Sequence, residues 1–486
     1  MSILKGLKPE PVWHYFEEIT KVPRPSKKEE KIIEFLLNFG KSLNLETKRD
    51  KIGNVVISKP ASPGMENLQK VVLQSHMDMV CEKNSDVDFD FDTMAIQPVI
   101  DGEWVKAKGT TLGADDGIGM AAQMAILASD NIKHGAIECL FTVDEETGLT
   151  GAFELEKGMF DAKILLNLDS EDEGELFIGC AGGIDTVATF DYIIESVPAN
   201  HSAYKIQVKG LKGGHSGDEI HKSHGNSIKI LNRILWQGVE ELEMQIAEIN
   251  GGNLRNAIPR EAFAIVTIPN EHCNDFEKWI AQFQTEVRQE LSQTAPDLSV
   301  SCSKSNMPAS VIDEDTKFNL VYGLYACPHG VHTWSQQLEG LVETSTNLAS
   351  VKFVENNRIV VTTSQRSSLE SGKADMAFMV DSVFSLAGAE IKRGDGYPGW
   401  NPNPNSNILR IAAASYERLF GKKPVVRAIH AGLECGLFLE KYPDLDMISF
   451  GPTLRSVHSP DERINIKTVE MWWNHLLDVL ENIPSK

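Results

Sequence analysis

Residues 71–80 read Val71-Val-Leu-Gln-Ser-His-Met-Asp-Met-Val80, an apolar run that stops abruptly at polar residues. Val71 to Leu73 has the composition of a buried strand. His76 and Asp78 follow two positions apart, so a side-chain period of two points both to one side as the strand frays into a loop. Imidazole Nε2 is a good zinc ligand, and a carboxylate on the other ring nitrogen raises its basicity. Taken alone, His-x-Asp reads as ordinary strand-end polarity. Four later stretches, each setting another ligand-type residue beside an apolar run, give it weight.

In the first, Gly109-Thr-Thr-Leu-Gly-Ala-Asp-Asp-Gly-Ile-Gly119, Asp115 and Asp116 stand just before a packed helix over Met120 to Leu127. An aspartate there is either a helix N-cap or a carboxylate bridging two metals. In the second, the strand Ala136 to Val143 runs into Asp144-Glu-Glu-Thr-Gly148, where Glu145 and Glu146 form a solvated turn or face inward. Lys163-Ile-Leu-Leu-Asn-Leu-Asp169 repeats the pattern and ends on Asp169, with the acidic cluster Glu171 to Glu173 beyond it on the surface. Last, the strand Asp446 to Phe450 leads into a loop, 451–462, that carries His458. Strands alternating with helices, with functional residues at strand carboxyl ends, describe an open α/β sheet whose crevice lies outside those ends.

Around this frame, Ser26 and Glu29 have capping-box spacing before a helix over 27–43. A hairpin over 44–58 turns at Gly53-Asn54. The final helix, Thr468 to Ile483, aligns Trp472, Leu476, Val479 and Leu480 on one stripe. From about 185 to 395 the pattern changes. Tyr204-Lys-Ile-Gln-Val-Lys-Gly alternates like a half-exposed antiparallel strand, and the loop Gly213-Gly-His-Ser-Gly217 carries His215. This α+β insertion has a β-α-β pattern that suggests duplication. The expected domains are therefore 1–185 and 395–486, forming one catalytic domain, with 186–394 inserted.

A chain of 486 residues exceeds what one core fills, which agrees with two domains. The net charge of −22 excludes a basic field for nucleic acid or an anionic membrane. Seven cysteines without C-x-x-C spacing make neither a disulfide framework nor a thiolate zinc site. With no apolar leader and no spanning stretch, the expectation is a cytoplasmic enzyme or binding protein.

The stretches HMDMV, GTTLGADDGIGM, CAGGID, GLKGGHSG, LRNAIPREAFA, YPGW, IHAGLECGLF and HSPDE occur in this order along essentially the whole chain. Together they resemble the dinuclear zinc peptidases that include carboxypeptidase G, tripeptidase T and carnosinase, and most of all the aminoacyl-histidine dipeptidase branch. The resemblance implies an α/β catalytic domain with a mixed, largely parallel sheet flanked by helices, and an inserted α+β lid domain. It implies two divalent ions, Zn2+ foremost with Co2+ or Mn2+ able to substitute. His76 and Asp169 would hold one ion, Glu146 and His458 the other, and Asp115 would bridge them. Asp78 would orient His76, and Glu145 would be the general base that takes a proton from water activated between the ions. His215 would stabilise the oxyanion, with a turn-capping histidine as the alternative. Asn256 and Arg366 would grip the substrate carboxylate, unless they are a turn asparagine and a surface arginine. His430 and Glu434 receive no role. The family's lysine after the paired aspartates is Gly117 here, a position that holds no metal.

The implied activity is hydrolysis of unblocked dipeptides, Xaa-His such as carnosine (β-Ala-His) included. The alternatives are an N-acyl amino acid amidohydrolase of the same fold and a non-catalytic peptide- or metal-binding relative, although no residue of the set is missing. A homodimer is left open, because His215 could act in its own subunit or in a partner.

Overall fold

The computed structural model describes residues 3–486. The chain divides into two compact units. The first comprises residues up to Gly179, Pro402–Ala428 and Leu433–Lys486; the second comprises Cys180–Asn401 and Ile429–Gly432.

An eight-stranded sheet forms the centre of the first unit. Its order is Glu46–Arg49, Val55–Lys59, Ile137–Thr142, Val71–His76, Ile164–Asn167, Asp446–Ser449, Glu175–Cys180 and Val425–Ile429. The four strands from Ile137–Thr142 to Asp446–Ser449 are mutually parallel, and the neighbours whose pairing is resolved are antiparallel. Every residue of Ile137–Thr142, Val71–His76 and Ile164–Asn167 is buried. Their near-continuous apolar composition suits a parallel sheet covered on both faces. Helices Glu10–Ile19, Ala114–Ala128, Asn407–Phe420 and Ile466–Glu481 supply the cover, burying Trp13, Phe16, Tyr416 and Trp472. Each fully buried large apolar side chain contributes about 1.5–3 kcal/mol. The sheet is thus a stiff base. Because its four central strands run the same way, their carboxyl ends deliver His76, Asp144 to Glu146, Asp169 and the loop to His458 at one edge.

Two local expectations change. The helix predicted over 27–43 spans Glu30–Ser42, and Ser26 and Glu29 make no capping box. The Ser26 hydroxyl donates instead to Asp78 Oδ2 at 2.7 Å, and Glu29 Oε1 accepts the Asp144 N–H at 2.9 Å. Nor does Asp115 cap the Ala114–Ala128 helix. Asp115 and Asp116 both have non-helical dihedrals, and Asp116 Oδ1 accepts the Gly119 N–H at 3.0 Å. Asp116 performs the capping and leaves the Asp115 carboxylate free for the site.

In the second unit the main sheet runs Ser299–Lys304, His201–Lys209, Ala262–Pro269, Gln245–Gly251, Val342–Val354, Arg358–Ser367, Gly182–Asp191 and Glu390–Arg393, with Gly330–Trp334 beside Val342–Val354. This order contains two β-α-β-β-α-β modules. One uses strands from His201 to Lys304 with helices Ser227–Glu241 and Cys273–Glu290. The other starts with Gly182–Asp191 and resumes at helix Glu314–Ala326, after the first module has intervened. Each has the spatial order 4-1-3-2, and they join where Gln245–Gly251 pairs antiparallel with Val342–Val354. The suspected duplication is therefore topological, with one module inserted into the other. One continuous apolar core serves both.

Candidate functional site

At the carboxyl edge of the parallel strands, two sets of ligand-type atoms share one residue. His76, Asp115 and Asp169 form one set and Asp115, Glu146 and His458 the other, with the atoms of each set within 4.8 Å of one another. Asp115 Oδ1 lies 3.1 Å from His76 Nε2, and its Oδ2 lies 3.3 Å from His458 Nε2. Asp169 Oδ1 is 3.7 Å from His76 Nε2, and Glu146 Oε2 is 3.0 Å from His458 Nε2. Glu145 lies within reach of His76 and Glu146 but belongs to neither Asp115-centred set. His76, Asp78, Asp115, Glu145, Glu146, Asp169 and His458 are thus gathered in one place.

The charges there do not balance. Burial opposes a charge on His76, yet Asp169, Asp115 and Asp78 outweigh it and hold the imidazole well above its usual range. Hydrogen bonds to Asp115 and Glu146 push His458 up to about 11. Asp115 lies far below the carboxylate range because bonds from His458 and His76 overcome its burial. Burial drives Glu145 and Asp169 well above that range, and the neighbouring carboxylates add to it against the pull of His76. Glu146 Oε1 is buried without a hydrogen-bond partner. Five carboxylates facing two imidazoles are short of positive charge, and two divalent cations would supply it. The donors are oxygen and nitrogen, and none of the described cysteines belongs to these sets. Such a donor set suits zinc, cobalt or manganese.

Apart from Asp78, the residues that hold this arrangement have no local sequence signature. Asp78, fully buried, is 3.3 Å from His76 Nδ1, and its two oxygens accept the N–H groups of Glu145 at 3.0 Å and Glu146 at 3.2 Å. One carboxylate therefore ties the ligand histidine to the acidic turn. Asp144, which opens that turn, has a φ of 50°. Thr147 and Thr150 donate to its carboxylate, and Glu29 accepts its N–H, so the surroundings overdetermine the conformation. The buried Glu462 accepts N–H bonds from Leu112, Gly113, Ala114 and Asp115 at 2.7, 3.0, 2.7 and 3.4 Å. This clamps the backbone that presents Asp115. Arg24, also buried, donates to the carbonyls of Met77, Asp78 and Gly113 and fastens both ligand loops together. Glu434 Oε2 accepts from Gln74 at 2.6 Å and Thr142 at 2.8 Å; burial first, and also Asp78, push this carboxyl up to about 7. Asp78→Ala should leave the fold intact by circular dichroism. Its divalent-ion affinity, read by chelator competition, should drop about 10–100-fold, as expected when a residue behind a ligand is removed.

His215, Asn256, Arg366 and His430 lie in the second unit. The His215 loop pairs with the Asn256 loop through the bridge His215↔Ala257, and the Ser216 N–H donates to Asn256 O at 2.8 Å. The Asn256 side chain is exposed. His215 Nδ1 accepts the N–H groups of Gly217 at 3.3 Å and Asp218 at 3.2 Å, so the ring proton sits on Nε2. The ring thus caps its own turn through Nδ1, and Nε2–H remains as a donor. Burial and then the neighbouring Arg366 keep this imidazole below its usual range, hence neutral. Arg366 is buried, and its Nε has no acceptor. His430 Nε2 lies 2.7 Å from Ser345 Oγ; burial, followed by Arg366, pushes its pKa down to about 3.

A model of peptidase family M20/M25/M40 matches residues 72–482. The chain is 45% identical to the cytosol non-specific dipeptidase of Escherichia coli (strain K12), over all of both chains. Its structure is similar to that of aminoacylhistidine dipeptidase from Vibrio alginolyticus, with a TM-score of 0.92 and 46% identity over 99% of this chain and 98% of that one. Human carnosine dipeptidase 1 shares the fold at 11% identity, with a TM-score of 0.51 over 97% of this chain and 95% of that one.

Proposed function

Since the chain belongs to peptidase family M20/M25/M40, we propose that it is a metal-dependent dipeptidase cleaving unblocked dipeptides, Xaa-His such as β-Ala-His included. The observation that carries this reading is the pair of ligand sets sharing Asp115, with Glu145 beside them and outside both. The two full-length relatives, described as dipeptidases, support the substrate class. The proposed setting is the cytoplasm, as for the cytosolic relative.

In this reading His76 and Asp169 would hold one ion, Glu146 and His458 the other, and Asp115 would serve both. The donor set would suit Zn2+, with Co2+ or Mn2+ able to substitute. Bound there, they would polarise the scissile carbonyl and make nearby water more acidic. The protein's own groups do the rest. Glu145 takes the proton of the attacking water on a carboxylate oxygen and passes it to the leaving amine nitrogen. The Asp78 bonds to the Glu145 and Glu146 N–H groups keep that turn in place through the transfer. His215, neutral with its ring proton on Nε2, would donate to the oxyanion. Asn256 and Arg366 receive the substrate carboxylate, which restricts the enzyme to very short peptides.

The test is purified protein supplied with zinc, cobalt or manganese and assayed on β-Ala-His, other dipeptides, tripeptides and N-acyl amino acids, with metal content measured on the same samples. Turnover of the dipeptides with about two ions per chain is the expected result. Turnover of N-acyl amino acids alone would replace the peptidase reading with an amidohydrolase. No turnover with any metal would overturn the mechanism.

A further inference from the structure

Arg366 sits in a row of residues drawn across adjacent backbones. In the sheet it pairs with Ser345 on one side and Gly183 on the other, and Gly183 in turn bridges to Tyr397. Gly183 leaves room for the tyrosine to fold back over it: a Cβ there would lie 2.8 Å from the ring carbons and from the phenol oxygen. The ring also meets Gly432, where a Cβ would lie 2.9 Å from its Cε2. The backbone of Tyr397 is held as firmly. Its N–H donates to Gly183 O at 2.8 Å, and its carbonyl accepts from the Gly183 N–H at 3.0 Å and from Lys373 Nζ at 2.6 Å. A ring packed against two glycines, on a backbone tied at both ends, brings its hydroxyl to one place. There Arg366 Nη1 donates to Tyr397 Oη at 2.9 Å.

That bond uses the phenol oxygen as acceptor and leaves its O–H without an acceptor among the hydrogen bonds of the described residues. The buried Nε–H of Arg366 has none either. Two donors without a protein acceptor, one on the buried Arg366 and one on the half-buried Tyr397 bonded to it, suit an anion. We propose that Tyr397 is a substrate-binding residue: its O–H joins Arg366 in holding the C-terminal carboxylate of the dipeptide. The inference rests on the dipeptidase reading and extends it by a residue that sets specificity for a free carboxylate. His430, on the far side through Ser345, is neutral and does not compete as a counter-ion.

The experiment compares wild type with Y397F, which keeps the ring against the glycines and removes only the hydroxyl. KM and kcat are measured on a dipeptide, with inhibition constants for histidine and for histidinamide, which lacks the carboxylate. The expected result is a KM about 10–100-fold higher with kcat within about threefold, as fits loss of a hydrogen bond to a charged group. Inhibition by histidine should weaken in parallel while histidinamide binds both forms alike. R366Q should weaken histidine binding, and adding Y397F to it should cost less than in wild type, because both changes act on one carboxylate. Unchanged KM and histidine binding in Y397F would overturn the inference while leaving the dipeptidase reading standing. Equal weakening of histidine and histidinamide would overturn it too, by showing a general loss of pocket shape. A wild type that cleaves no dipeptide would remove the reading beneath it.

Discussion

Glu145→Ala should lose about 10²–10⁴-fold in kcat, the range of a positioned general base, while retaining its metal ions. Retention follows from how the turn is held. The bond from residue 145 to Asp78 Oδ1 comes from the backbone N–H, so deleting the side chain leaves it in place. Asp78 therefore keeps its position beside His76, and Glu146 keeps its own bond to Asp78 Oδ2. Both Asp115-centred sets also survive, since neither includes Glu145. The deciding measurement is metal content by elemental analysis beside single-turnover kinetics. Loss of ions together with loss of activity would make Glu145 a ligand, which its place within reach of His76 and Glu146 permits geometrically.

Asp115→Ala should do the opposite and empty the site. Its two oxygens face different histidines, His76 and His458, and no other side chain is common to both sets. Removing it takes a ligand from each ion and one negative charge from both. Affinity should fall by more than the roughly 10–100-fold expected for Asp78→Ala, and turnover should drop to background even with added metal. Asp169→Ala and His458→Ala should each weaken one ion more than the other, giving biphasic metal titrations. A variant at position 115 that still binds two ions with wild-type affinity would refute the bridging assignment. The fold itself should persist, because Glu462 clamps backbone N–H groups that the substitution leaves in place.

Much of the centre was legible from local signals. An apolar run that ends on His76, Glu145-Glu146 or Asp169 announces both a buried strand and a functional edge, since each needs only a few consecutive residues. The pairing of Ser26 with Glu29 misled for the same reason. Its spacing fits a capping box, but burial offered both residues better partners in Asp78 and the Asp144 N–H, and tertiary contacts prevailed over the local pattern. The choice between Asp115 and Asp116 as helix cap was open in sequence. It was settled by backbone dihedrals that depend on Glu462, about 350 residues away along the chain.

What the sequence determined by itself is the order of strands and helices, the residues that end them, and hence the kind of chemistry their donor atoms can perform. Those properties are written in periodicity and residue type, which act over a few positions. The tertiary structure alone decided that Asp115 faces two histidines, that Glu462 and Arg24 hold the loops behind it, and that Tyr397 lies across Gly183 against Arg366. Such contacts join residues tens to hundreds of positions apart. Their energy comes from excluding water around buried polar groups, a condition that exists only once the chain has packed.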